Sequence, residues 1–251
     1  MKVKNHIVLF LDILGYSNLL GECKNSQEEN SYLSKVHSIM STLSRYIEKR
    51  HVAIDQNTDN LHLSRFKSLL FSDNILFFAP YNNEIDMGNL YMNLLYGLSE
   101  FLVQYTKEDI FFRGGITKGN LYYDEKQHFV FGSGLVKAYH LENKIAKYPR
   151  IVIDNTLNPS PILVGIDQDE ENVWYLDYLS LGYCLICKEG KAQQNYEHFR
   201  SCLYEQKNAI TRAYYKYKNN GNVFPKYQWL VKYHNNFCVK QGLLDCVIKI
   251  K

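Results

Sequence analysis

A continuous apolar run at the start of the chain constrains it more than any other feature. From Val3 to Ile13 the β-branched and apolar residues do not alternate with polar ones, so the segment predicts a strand buried on both faces. One acid interrupts it. Asp12 closes "IVLFLDILGY" just ahead of Gly15, where burial without compensation would be costly.

The rest of the chain alternates helical and strand patterns. Residues 26–50 place Ser26 and Glu29 at capping-box spacing ahead of an apolar stripe of Leu33, Val36, Ile39, Met40, Leu43 and Ile47, which predicts a helix. Residues 51–66 read as a polar connection or irregular strand. "FKSLLFSDNILFFAP" predicts two strands joined by a tight turn at Ser72, Asp73 and Asn74. A second helix is predicted over "EIDMGNLYMNLLYGLSEFLVQYTK". Then "IFFRGGITKGNLYYDEKQHFVFG" reads as strand, Gly-rich turn and strand, with Gly114, Gly115 and Gly119 permitting bends and close backbone approach. A third helix, "SGLVKAYHLENKIAK", leads to a short strand at "RIVID". This order indicates an α/β or α+β sandwich with helices packed on a central sheet. After residue 155, strands at "VWYLDYL" and "YCLIC" precede two helices. The second of these starts at Pro225. The expected organisation is a domain over 1–155 and a C-terminal elaboration of it over 156–251.

Composition bounds the function classes. Hydrophobic residues make up 46% and charged residues 22% of the 251, which is the balance of a folded globular chain. The net charge of +3 argues against a general nucleic-acid coat and leaves room for a local basic patch. Aromatics interleaved with Lys in "YYKYKNNGNVFPKY" read as a packing face at a helix end, so a nucleic-acid partner is not expected. No apolar run approaches the ~18 residues of a membrane span. Asp12 and the absence of a small-residue cleavage site exclude a signal peptide over the N-terminal segment, so a cytoplasmic protein is expected. Six cysteines are scattered, and the one C-x-x-C, Cys184 with Cys187, lacks a second pair and reads as buried strand.

Asp12 and Asp73 occupy equivalent settings, each where an apolar strand ends. If the strands are neighbours, the two carboxylates emerge together, repel, and either take up a proton or hold a divalent cation. A hard cation such as Mg²⁺ accepts one or two carboxylates and completes its shell with water and substrate phosphates. Arg113, just before two glycines, is expected to hold its fork beside exposed backbone N–H groups, an arrangement suited to phosphate oxygens.

The order of these segments resembles the class III nucleotidyl cyclase catalytic domain over residues 3–154. "FLDILGY" (Phe10 to Tyr16) matches its F-x-D-I-x-G-[FY] strand end. "FSDNILFF" matches its G-D hairpin, "RGGITKG" (Arg113 to Gly119) its R-x-G-I-x-x-G strand, and "FGSGLVKAYHLE" its helix ending at Glu142. The resemblance implies a ferredoxin-like βαββαβ core and two Mg²⁺ or Mn²⁺ ions held by Asp12, Asp73 and the Ile13 carbonyl. It implies that Arg113 binds the triphosphate, that Gly15 and Tyr16 border the substrate, and that a homodimer builds its active sites at the subunit interface.

Departures sharpen this. The base-selecting positions align with Leu69 and Phe129, which cannot read a purine edge by charged hydrogen bonds. The ribose and transition-state positions align with Val136 and His140. His140, Lys137, Tyr139 and Lys118 are candidate substitutes. The pattern resembles the divergent Pycsar cyclases of bacterial anti-phage defence, which make cyclic UMP or cyclic CMP from UTP or CTP. The alternative is a catalytically inactive cyclase-like domain that binds nucleotide or a protein partner.

Overall fold

The computed structural model describes residues 2–49, 51–53, 61–63, 65–187 and 192–250. In chain order its elements are β1 (Lys4–Ile13), α1 (Tyr16–Gly21), α2 (Ser26–Lys49), β2 (His51–Ala53), β3 (Leu61–Leu63), β4 (Lys67–Phe71), β5 (Asn74–Pro80), α3 (Glu84–Tyr105) and β6 (Phe112–Asp124). There follow β7 (Phe129–Phe131), α4 (Ser133–His140), β8 (Ile151–Ile153), β9 (Ile166–Gln168), β10 (Trp174–Leu176), α5 (Tyr178–Cys187), α6 (Ala192–Lys216) and α7 (Phe224–Lys240).

The sheet runs β4-β5-β1-β6-β8-β10-β9. Its first four strands are mutually antiparallel, with α2 between β1 and β4 and α3 between β5 and β6. This is the ferredoxin-like βαββαβ order. β8 then pairs parallel to β6 after a crossover through α4. The central β1 shows why its sequence lacks alternation. Ile7, Leu9, Leu11 and Ile13 enter the large core with α2 and α3, while Val8 and Phe10 enter a smaller cluster under α4 with Leu76, Phe78, Leu121 and Ala138. Phe199, Cys202, Leu203, Tyr233, Phe237 and Cys238 from the C-terminal helices share the large core. Buried Arg150 lies against the rings of Tyr148, Tyr175 and Trp229 and is ion-paired with Asp169, joining the β8 edge to α7. No described helix is long and apolar enough to cross a membrane.

Several local expectations are corrected. The α2 cap lies one residue earlier than expected. Asn25 Oδ1 accepts from the N–H groups of Gln27 and Glu28, and Glu28 reaches back to the Lys24 N–H. The Gly-rich segment is not a turn but the body of β6, and the chain reverses only over residues 125–128. Its glycines serve close approach: a Cβ on Gly115 would lie 2.4 Å from Leu141 Cβ, and one on Gly119 would lie 2.7 Å from Gly134 Cα. These contacts let α4 lie directly on β6. "YCLIC" is helical, in α5, because short apolar runs carry no period that separates a buried strand from a buried helix. Its Gly182 fits against Val103 of α3. The strand expected over "VWYLDYL" stops at Leu176, where Asp177 accepts from the Ser180 N–H and starts α5. Within 51–66, β2 and β3 pair with each other, and residues 54–60 and 64 lie outside the described residues.

Candidate functional site

Asp12 sits on the β1 face that carries Val8 and Phe10, with Asn74 of β5 and Arg113 of β6 as its register partners. The β4–β5 turn, with Ser72 at φ 55°, carries Asp73 to the same sheet edge. The Asp73 carbonyl accepts from the Ile13 N–H at 3.1 Å, and its carboxyl accepts from Asn74 Nδ2 at 3.1 Å. Asp12, Ile13, Asp73 and Arg113 are therefore brought together.

Electrostatics set the character of this edge. Burial is the largest influence on Asp12 and lifts its pKa to about 7. The hydrogen bond and charge of Arg113 pull it down, and Asp73 and Glu142 push it further up. Arg113 is not held beside free backbone N–H groups, as its sequence context had suggested, because the glycines after it are inside the sheet and the Gly114 N–H is taken by the Arg150 carbonyl. Its Nε instead donates to Asp12 Oδ2 at 2.8 Å, and its Nη2 lies 2.7 Å from Glu142 Oε1. The second contact is a close ion pair whose angle does not meet hydrogen-bond geometry, since Glu142 Oε1 has no such partner.

Three residues here carried no assigned role in the sequence. Glu142 is buried on a π-helical turn, Leu141–Ile145, and its pKa is raised, by burial first. Only its place at the end of "HLE" could have flagged it. Tyr32 of α2 stacks on Tyr16 at 5.9 Å, and its hydroxyl is buried without a hydrogen-bond partner. Asp73 is among the charges that raise its pKa, after burial and Tyr16. Lys226 of α7 lies within electrostatic reach of Arg113, Asp12 and Glu142. Nothing in the local sequence of these last two marks them, because the fold alone brings α2 and α7 to this edge.

The other predicted residues are more dispersed. Gly15 adopts φ 80° ahead of α1, the left-handed region that favours glycine, and so sets the direction in which Tyr16 leaves β1. Leu69 faces Leu76 across the β4–β5 ladder. Val136 and His140 are exposed, one turn apart on α4. Phe129 faces Asp124, the other end of β6 from Arg113 and about 36 Å along an extended strand. Within one chain it does not join the acid pair. Among the candidate substitutes, Lys118 is tied to Glu84 at 3.1 Å, and Tyr139 packs edge-on against Phe10 with its hydroxyl accepting from Asn143.

The donor set fits a hard divalent cation. Among the described residues no group of three or more His, Cys, Asp or Glu is arranged to hold a metal. A cation at this edge would take Asp12 and Asp73 and fill its remaining positions with water or phosphate oxygens, as Mg²⁺ commonly does. Because burial raises the Asp12 pKa, a cation bound there would have to displace a proton.

Fold and site together define an α/β sandwich with a paired-carboxylate edge. No protein-family model matches the sequence, and no curated protein matches it significantly. Among solved structures, the chain is similar to the adenylyl cyclase CyaB from P. aeruginosa, with a TM-score of 0.41 and 12% identity over 70% of this chain and 94% of that one. It is also similar to a class III adenylyl cyclase-like ATP-binding protein from Pseudomonas aeruginosa, with a TM-score of 0.41 and 11% identity over 62% of this chain and 34% of that one. The guanylyl cyclase Cya2 gives a TM-score of 0.38 and 15% identity over 70% and 93%. These similarities are distant, and the functional reading rests on the site itself.

Proposed function

We propose that the chain is a class III-like nucleotidyl cyclase that converts a pyrimidine nucleoside triphosphate, UTP or CTP, to its 3′,5′-cyclic monophosphate and pyrophosphate. The observation that carries this is the convergence of Asp12 and Asp73 at one sheet edge beside Arg113. Asp12 and Asp73, with the Ile13 carbonyl, would hold Mg²⁺ or Mn²⁺. Two such ions supply charge neutralisation at the phosphates and activation of the ribose 3′-hydroxyl. That hydroxyl oxygen bonds to the α-phosphorus as the bond to the bridging oxygen of the β-phosphate breaks, and the hydroxyl proton leaves to water. Arg113 positions the triphosphate once phosphate oxygens compete with its present carboxylate partners.

The pyrimidine assignment rests on the motif resemblance and on the lack of charged purine readers at the aligned positions, Leu69 and Phe129. A homodimer in which one copy supplies base contacts to the other's site would let Phe129, remote from the acid pair within one chain, take part. Exposed Phe71, Phe131 and Val136 would lie at that interface. The role as a second-messenger enzyme in anti-phage signalling rests on the motif resemblance.

One observation favours a second reading. Arg113 already pairs with both Asp12 and Glu142, as a guanidinium partly replacing a metal would in a cyclase-like domain that binds nucleotide or a protein partner without turnover. Incubation with Mn²⁺ and each of the four nucleoside triphosphates, with product identification, separates the two. Pyrophosphate together with a cyclic pyrimidine nucleotide supports the enzyme. No product from any triphosphate supports the binding domain.

A further inference from the structure

Helix α7 lies outside the βαββαβ core, yet its first turn is anchored to the strand ends that bear the site. Tyr227 is buried edge-on to Phe111 at 5.9 Å and stacked on Tyr217 at 5.1 Å. It shares a buried cluster with Leu14, Phe111 and Leu230. The Leu14 N–H donates to the Phe111 carbonyl at 2.8 Å, two residues beyond Asp12 on one strand and two before Arg113 on the next. The residue beside Tyr227 is therefore held at the acid edge by packing.

That residue is Lys226. It is half-buried, in the first turn of a 17-residue helix whose dipole adds positive potential. Among the described residues no hydrogen bond or ion pair is made to its ammonium group. Arg113 is in the opposite condition, with Nε on Asp12 and Nη2 on Glu142. The ammonium group lies within electrostatic reach of Arg113, Asp12 and Glu142. A half-buried ammonium within reach of a guanidinium, and with no hydrogen bond or ion pair of its own among the described residues, is a site for an incoming anion.

We propose that Lys226 is a substrate-binding residue of the acid-pair site, supplied in cis by the C-terminal elaboration, and that it takes a phosphate oxygen of the triphosphate that Arg113 does not reach. This rests on the cyclase reading for the identity of its substrate, but not for its phosphate chemistry. It gives the C-terminal helices a direct part in the site. Lysine suits the role as a compact point charge that needs no bidentate partner.

The test uses the full-length protein and inorganic triphosphate with Mg²⁺ as the probe, followed by calorimetry, beside steady-state kinetics with the best nucleoside triphosphate. Lys226→Ala is expected to weaken triphosphate binding about tenfold or more, the scale of one charge-assisted contact, and to raise KM more than it lowers kcat. Lys226→Arg should recover most of the affinity. Lys232→Ala, which removes an exposed lysine of the same helix paired with Glu170, should change neither quantity. A thermal melt checks that each variant folds. Wild-type affinity and KM in Lys226→Ala would overturn the inference while leaving cyclase activity standing. Loss of triphosphate binding in Lys226→Ala, with no cyclic product from the wild type, would sustain it and remove the cyclase reading. A wild type that binds no triphosphate overturns it.

Discussion

Arg113 Nε donates to Asp12 Oδ2 across 2.8 Å, from adjacent strands in direct register. The guanidinium thus occupies the acid that a cation would need, and the two must compete. Replacing Arg113 with Ala strands two buried carboxylates, Asp12 and Glu142. Breaking one side of such a cluster costs about 3 kcal/mol or more. We expect a lower melting temperature, with Mg²⁺ or Mn²⁺ restoring more stability to Arg113→Ala than to the wild type. Calorimetric melts with and without the ion measure this, and equal gains in both proteins would contradict it.

Asp12 also gives the metal-free protein a pH signature. Its folded pKa of about 7 exceeds the unfolded value near 3.9, so between these the folded state binds a proton that the unfolded state does not. Stability therefore falls as pH rises through that window, by up to about 4 kcal/mol at 1.36 kcal/mol for each unit of pKa. Asp12→Asn should flatten this slope. Urea titrations from pH 5 to 8 on both proteins provide the comparison.

His234 has the opposite sign. Its ring is fully buried, 2.9 Å from Gln206 Oε1 and 3.0 Å from the Cys246 carbonyl, and burial lowers its pKa to about 4. Between about 4 and its unfolded value near 6.5 the unfolded chain takes up a proton that the folded chain refuses. Stability should drop as pH falls through that range, by about 3 kcal/mol for a fully realised shift. NMR titration of the ring should find it neutral at pH 5.5.

Gly115 and Gly88 should respond to alanine with opposite signs. A Cβ on Gly115 meets Leu141 Cβ at 2.4 Å and the Ala138 carbonyl at 2.7 Å, whereas one on Gly88, in the second turn of α3, meets nothing within 4 Å. Gly115→Ala should cost about 1–3 kcal/mol by forcing α4 off the sheet. Gly88→Ala should gain about 0.5–1 kcal/mol from helix propensity and a less free unfolded chain. Denaturant midpoints of the two variants decide it.

The central strand, the two long helices of the core and the β4–β5 turn were legible because each carries a periodic pattern or a local turn signal. The meeting of Asp12, Asp73 and Arg113 followed from motif order. Other features depend on tertiary packing that no local pattern encodes. The β6 glycines resemble a turn in sequence, but they are pressed against α4 by Leu141 and Gly134. The "YCLIC" segment takes helical form where Gly182 meets Val103. Glu142, Tyr32 and Lys226 reach the site from a π-helical turn and two helices whose docking follows from the whole core.

The claim underlying this account is that Asp12 and Asp73 form one site for a hard divalent cation. A Mn²⁺ titration at pH 8, monitored by electron paramagnetic resonance on the wild type, Asp12→Asn and Asp73→Asn, tests it most directly. Binding should be saturable in the wild type and weakened at least tenfold in either variant, with proton release at pH 6 that Asp12→Asn abolishes. Mn²⁺ binding of equal affinity in all three proteins would contradict it.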